Sequence, residues 1–188
     1  MAVEQRLPLV DLVIPTLRHL SPVQYGAFRD NVRHLVESDR EIHLFEYALQ
    51  KTILRHLELF FTRSRGPAVK YRSVIPLLPD VTALLTGLAV VGHDDPALRA
   101  AAFASGVREL LINTSSHPME CGPICNLAAI DAALNRLAEA SPEVKKTVLR
   151  AARETVSHDG VVELREYELL RAIADALDVP MPPLSLTS

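Results

Sequence analysis

The chain has few cysteines, few glycines and no long uninterrupted apolar run, and each shortage closes off a class of protein. Two cysteines in 188 residues cannot build the disulfide framework that staples small secreted domains, so a reducing setting is expected. The seven glycines never gather as Gly-x-Gly-x-x-Gly, which removes the backbone cradle that nucleotide and dinucleotide sites need for phosphate. A His-Glu-x-x-His helix, a nucleophile elbow and adjacent Ser, His and Asp patterns are missing as well, so no enzymatic activity and no resident cofactor are expected of this chain. The formal charge of −3 gives no global attraction for nucleic acid, and none is expected as a partner. Segment 74–91 is the most apolar, yet Pro76, Pro79 and Asp80 interrupt it. What remains is shorter than the ~18 residues that mark a membrane span. Met1 is not followed by the basic flank and apolar run of a signal peptide, and a cytoplasmic location is the expectation.

What is present is helical spacing. Leu9, Val10, Val13, Ile14 and Leu17 recur at three- and four-residue steps, with Pro15 as a kink or break. Ser21-Pro22 offers a cap with proline in the first helical position, followed by Tyr25, Phe28, Val32, Leu35 and Val36 on one face. Beyond a turn at 38–43, Phe45, Ala48, Leu49, Ile53, Leu57, Phe60 and Phe61 mark a second arm. Asp80 is expected to cap an almost wholly apolar helix that Gly92 ends, and Asp94-Asp95-Pro96 restarts an alanine-rich helix to about Ile112. A further helix is expected from about Ile124 to Glu139, and Ser141-Pro142 opens the next. No stretch of useful length alternates with period two, so the predicted class is all-α: about seven helices in one domain over residues 1–188.

Residues 21–57 and 141–177 repeat one pattern at a constant offset of 120 positions without a gap. Ser21-Pro22 matches Ser141-Pro142, Arg33 matches Arg153, Val36 Val156, Asp39 Asp159 and Leu44 Leu164. Glu46-Tyr47 matches Glu166-Tyr167, Leu49 Leu169, Ile53 Ile173 and Leu57 Leu177. The pattern predicts two helical hairpins related by a pseudo-two-fold, packed on each other because one hairpin alone cannot cover its apolar stripe. The central apolar helices, about 80–139, would then have a groove to occupy, and a groove between the hairpins would be the working surface.

The acidic turns inside the two hairpins are the candidate site. Asp39, Glu46, Asp159, Glu163 and Glu166 are carboxylates that, facing one another, would hold a hard divalent cation with water completing the shell. The same residues also have local structural roles. Asp159 can bond its own backbone, Gly160 can take positive φ, and Glu166 suits a helix N-terminus; Arg40 stands where the second copy has Gly160. Arg63, Arg65, Lys70 and Arg72 form an acid-free connector that reads as a solvated loop or as a basic patch for an anionic membrane surface or an acidic partner. His117, Cys121 and Cys125 are spaced by four, but Gly122-Pro123 breaks any helix that would align them, so a reduced, partly buried cysteine pair is expected. Other histidines are scattered singly and read as surface or satisfied residues. Tyr47 and Tyr167 recur in register and read as core or interface side chains, with ligand binding as the alternative.

Asp159-Gly160 with Glu166 seven positions on, running through Glu168-Leu169-Leu170-Arg171-Ala172-Ile173-Ala174 to Pro180-Met181-Pro182-Pro183, resembles the tellurite-resistance TerB-like family. The chain also resembles, over nearly its full length, the cytoplasmic C-terminal region of HtpX-like membrane zinc metallopeptidases. Leu7-Pro8-Leu9, Leu20-Ser21-Pro22, Phe45-Glu46-Tyr47-Ala48-Leu49 and Met181-Pro182-Pro183-Leu184 carry that second likeness. The resemblance implies a helical domain with an internal two-fold repeat. It also implies a non-catalytic interaction or regulatory role at the inner face of a membrane, with a protein partner or the peptidase portion of a parent chain. The alternative it implies is a stand-alone stress-response domain that binds a metal ion or an oxyanion.

Overall fold

The computed structural model describes residues 6–38, 44–62, 68–110, 116–122, 127–162 and 164–181. Within them the protein is all-α, as the periodicity predicts. Eight helices run in the order α1 (Arg6–Leu17), α2 (Pro22–Ser38), α3 (Leu44–Thr62), α4 (Leu78–Gly92), α5 (Pro96–Glu109), α6 (Leu127–Ala138), α7 (Pro142–Val156) and α8 (Leu164–Ala176). About seven were expected; the helix expected near the N-terminus is α1, and it runs through Pro15.

Caps fix the helix starts. Ser21 Oγ accepts from the Gln24 amide, and Gln24 Oε1 accepts from the Ser21 amide, a reciprocal box that satisfies two otherwise orphaned donors at the head of α2. Asp95 Oδ1 accepts from both Ala97 and Leu98 ahead of α5, and Ser141 Oγ from Val144 ahead of α7. Proline follows each of these three caps, where its missing N–H costs nothing. One capping expectation is corrected. Asp80 does not start α4; a short 3-10 turn, Ile75–Leu77, leads straight into it, Leu77 is the cap residue without a side-chain bond, and Asp80 lies inside the first turn. The prolines at 76 and 79 are tolerated because they fall where a helix has free N–H positions.

Most of the buried apolar residues form one continuous cluster, from Ile14 on α1 to Val179 beyond α8. Its centre is α4, whose Val81, Leu84 and Leu85 have no exposed surface. With its 3-10 lead, Ile75–Gly92, α4 is the one helix among the described residues long and apolar enough to cross a membrane, and 56% of that window is buried inside the protein. It packs against α5, α6 and α7. The alanine-rich α5 lies against α7 so closely that a Cβ on Gly106 would sit 2.7 Å from the Ala151 carbonyl oxygen. Only glycine fits that approach.

The two hairpins meet through α3 and α8. Thr52 donates to the Ala172 carbonyl and Arg55 to that of Asp175, so partners keep one offset and the two helices run side by side in the same direction. The central helices α4 and α5 press mainly on α7, and the first hairpin reaches the second by direct contact of α3 with α8. At the end of α8 the Asp178 amide returns to Asp175 and the Val179 amide to Ala174, with Asp178 at φ 60°. Aspartate takes the position where glycine is usual, one of the few side chains that tolerates it.

Candidate functional site

The turn between α7 and α8 is built as its sequence predicts. Asp159 Oδ1 accepts from the Val161 amide at 3.0 Å and Gly160 takes φ 79°. The Gly160 amide returns to Ser157, whose own amide and hydroxyl both bond the Arg153 carbonyl. This self-contained turn presents His158 and Asp159 to the C-terminal end of α4. There His93 caps the helix in extended conformation, its amide donating to Ala89 and its carbonyl accepting from Arg99 Nε at 2.6 Å. His93 Nε2 and His158 Nδ1 lie 3.1 Å apart, with the rings 4.6 Å between centroids at 76°. One nitrogen from each imidazole and one Asp159 carboxylate oxygen fall within 4.8 Å of one another, the only such grouping of three potential ligands among the described residues. Both imidazoles are half-buried and Asp159 is exposed, so the cluster opens to solvent.

Of the five carboxylates singled out from the sequence, Asp39 and Glu163 lie outside the described residues. Glu46 is half-buried in the first turn of α3. Glu166 is buried in the first turn of α8, its carboxylate against the Gly92 backbone: a Cβ there would be 2.6 Å from Glu166 Oε1. Only Asp159 joins the three-ligand group, and its neighbours there are imidazoles. Sequence reasoning missed both histidines. They are 65 positions apart, and no local spacing announces the pair; the one usable hint was that His93 follows a helix-ending glycine while His158 precedes the turn aspartate. His117 is half-buried and Cys121 is a free, half-buried thiol packed against the core, with Cys125 outside the described residues.

The basic connector is docked, at least in part. The Lys70 and Tyr71 amides donate to the Glu139 carbonyl, Ser141 donates to Tyr71, and Lys70 Nζ lies 2.7 Å from Glu139 Oε1. Lys70 stays exposed, as a solvated connector predicts, and is paired with an acid that comes from just beyond α6. Arg72 is exposed; Arg63 and Arg65 lie outside the described residues.

Two further polar groups lock α3 in place. On one side the Tyr47 hydroxyl and Lys51 Nζ both reach Asp131 Oδ1 on α6, Lys51 at 2.7 Å, and Asn135 Nδ2 closes the set on Asp131 Oδ2 at 3.0 Å. Burial, reinforced by the bond to Asp131, pushes the Tyr47 hydroxyl well above the ordinary tyrosine range. Burial works against the Asp131 charge, but the Lys51 and Tyr47 hydrogen bonds outweigh it and hold that carboxyl below the usual range. On the other side Arg55 spans the Asp175 carbonyl and Asp178, and His56 Nε2 lies 3.0 Å from the Asp175 carboxylate. That hydrogen bond raises the His56 pKa against the opposing effect of burial. Tyr47 is a buried structural side chain with a polar anchor, whereas Tyr167 is half-buried. Asp80, deep beside α6, sits 3.2 Å from Arg136 Nε; burial still pushes its carboxyl up, the cation offsetting only part of the cost.

The class this fold defines is an all-α domain with a central apolar helix and an open imidazole–carboxylate cluster at one of its ends. Compared with protein-family models, curated proteins and solved structures, the chain matches none of them.

Proposed function

We propose that the chain is a non-catalytic interaction or regulatory domain, acting at the cytoplasmic face of a membrane on a protein partner or on the peptidase portion of a parent zinc metallopeptidase. The observation that carries the reading is where apolar side chains stay in water. Of the eight exposed large apolar side chains among the described residues, four lie on α1–α3, the layer fastened to the rest mainly through α3: Leu12 (73% exposed), Val13 (42%), Val23 (83%) and Phe60 (49%), with Val69, Ile75, Leu98 and Val161 elsewhere. Four exposed apolar side chains on one layer suit a partner surface better than a catalytic one. The resemblance to HtpX-like C-terminal regions and the lack of a catalytic motif in this sequence agree with it. The duplicated helical hairpin belongs to the same proposal: α2 and α7 start at Pro22 and Pro142, α3 and α8 at Leu44 and Leu164, each pair 120 positions apart.

The test starts with the reading frame ahead of Met1. An encoded His-Glu-x-x-His peptidase portion is expected; expressed separately, it should bind this chain in a calorimetric titration. Val23→Ser with Phe60→Ser should weaken that binding at least tenfold while the helical circular dichroism signal stays. Equal binding by the double variant sinks the proposed surface. Flotation with anionic vesicles, before and after neutralising Arg63, Arg65, Lys70 and Arg72, checks the membrane part, and identical flotation removes it.

The second reading is a stand-alone stress-response domain that binds a metal ion or an oxyanion through its acidic turns. One observation favours it: Asp159, in the second turn, meets two imidazoles.

A further inference from the structure

We propose that His93, His158 and Asp159 form a site for a divalent transition-metal ion of the zinc class, which joins the end of α4 to the turn between α7 and α8. The inference deepens the metal part of the second reading and is independent of the interaction surface. It shares Asp159 with the site expected at the acidic turns and differs from it in the other ligands and in the ion. An imidazole pair selects borderline ions such as zinc or cobalt, whereas calcium and magnesium require shells of oxygen.

Geometry supports it first. At metal–nitrogen bonds of about 2.0–2.1 Å, two ligands of a tetrahedral ion stand roughly 3.3–3.4 Å apart. His93 Nε2 and His158 Nδ1 are already 3.1 Å apart, so the imidazoles need to separate only slightly to admit the ion. Asp159 is exposed and within 4.8 Å, close enough for its carboxylate to swing in as the third ligand. The near-perpendicular rings let two nitrogens aim at one point without ring overlap.

Preorganisation supports it second. The His93 backbone is held at both ends, by Ala89 and by Arg99, and His158 sits in a turn closed by its own hydrogen bonds. Ligands fixed in this way lose little freedom on binding. Binding requires a lone pair on each of the two facing nitrogens, so in the metal-bound site any ring proton sits on the nitrogen that faces away. Three protein ligands leave the fourth position to water or to a donor from a partner.

The experiment uses the chelator-treated full chain. Zinc is titrated in competition with a chromogenic chelator, and cobalt is followed by visible absorption. Expected are one equivalent of tightly bound zinc, a four-coordinate cobalt spectrum without a thiolate charge-transfer band, and a higher melting temperature with zinc. His93→Ala and His158→Gln should each lower zinc affinity about tenfold or more; the glutamine retains a hydrogen-bonding side chain next to His93 and guards against misfolding. Cys121→Ser should leave binding unchanged. Zinc affinity unaltered by both histidine variants, a thiolate band lost in Cys121→Ser, or no zinc binding by the wild type overturns the proposal. Binding of calcium or magnesium without zinc overturns it too, while leaving the acidic-turn reading standing.

Discussion

The hairpins α2–α3 and α7–α8 begin at corresponding residues behind the same Ser-Pro cap, yet they live in different surroundings. On α7, Val148, Ala151 and Ala152 have no exposed surface because α4 and α5 press on them. On α2 the main neighbour is α3, Tyr25 stacks on Phe61 at 4.4 Å, and Val23 is left 83% exposed. A repeated sequence pattern therefore repeats the local chemistry, caps and helix starts, because those depend on residues a few positions apart. Burial on α2 does not repeat that on α7, because it depends on which other elements arrive, whereas Leu57 on α3 and Leu177 just beyond α8 are both fully buried.

The contrast can be tested from its strongest consequence downward. Leu169→Ala on α8, where the side chain is 1% exposed, should destabilise by about 2–5 kcal/mol in urea unfolding; a loss under about 0.5 kcal/mol would place α8 outside the core. Gly106→Ala should cost about 1–3 kcal/mol by the same measurement, since α5 must back away from α7 to make room. Next come the two polar fastenings of α3, which should respond to pH in opposite directions. His56 has a raised folded pKa, so its contribution is fully present below its unfolded value of about 6.5 and fades as pH rises through the folded one. The melting-temperature gap between wild type and His56→Ala should be widest below that value and narrow above it. Asp131 has a lowered folded pKa, so its contribution is present above about 4 and fades only as pH falls through the folded value. The Asp131→Asn gap should accordingly hold at neutral pH and close in acid. Last, Val23→Ser on the solvent side of α2 should stay within about 0.5 kcal/mol of wild type; a larger loss would show α2 to be as well covered as α7.

Much of the fold was legible because helical signals are local. The caps at Ser21, Asp95 and Ser141, the turn at Asp159-Gly160 and the end of α4 at Gly92 all follow from neighbours in sequence. Asp80 misled because a carboxylate before an apolar run looks like a cap; its partner, Arg136, arrives from α6. The acid that pairs with Lys70 likewise lies 69 positions away. The candidate site was half legible. Asp159 stood out by its turn chemistry, but the imidazoles complete a group only once α4 ends beside the α7–α8 turn, and that is a property of packing. Pro15 argued for a kink or a break, and α1 runs through it without a break.

The parallel bridge between Tyr71 and Ala140 has an engineering consequence. It ties the entrance and exit of the α4–α6 segment at one stem, so the ends of that segment stay together whatever happens at its tip. Guest sequence spliced in beside the exposed Ser116 and Pro118 meets only the logarithmic cost of a larger ring, about 0.6 kcal/mol per doubling. A fluorescent reporter inserted there should ride on the protein while α7 and α8 keep their seats.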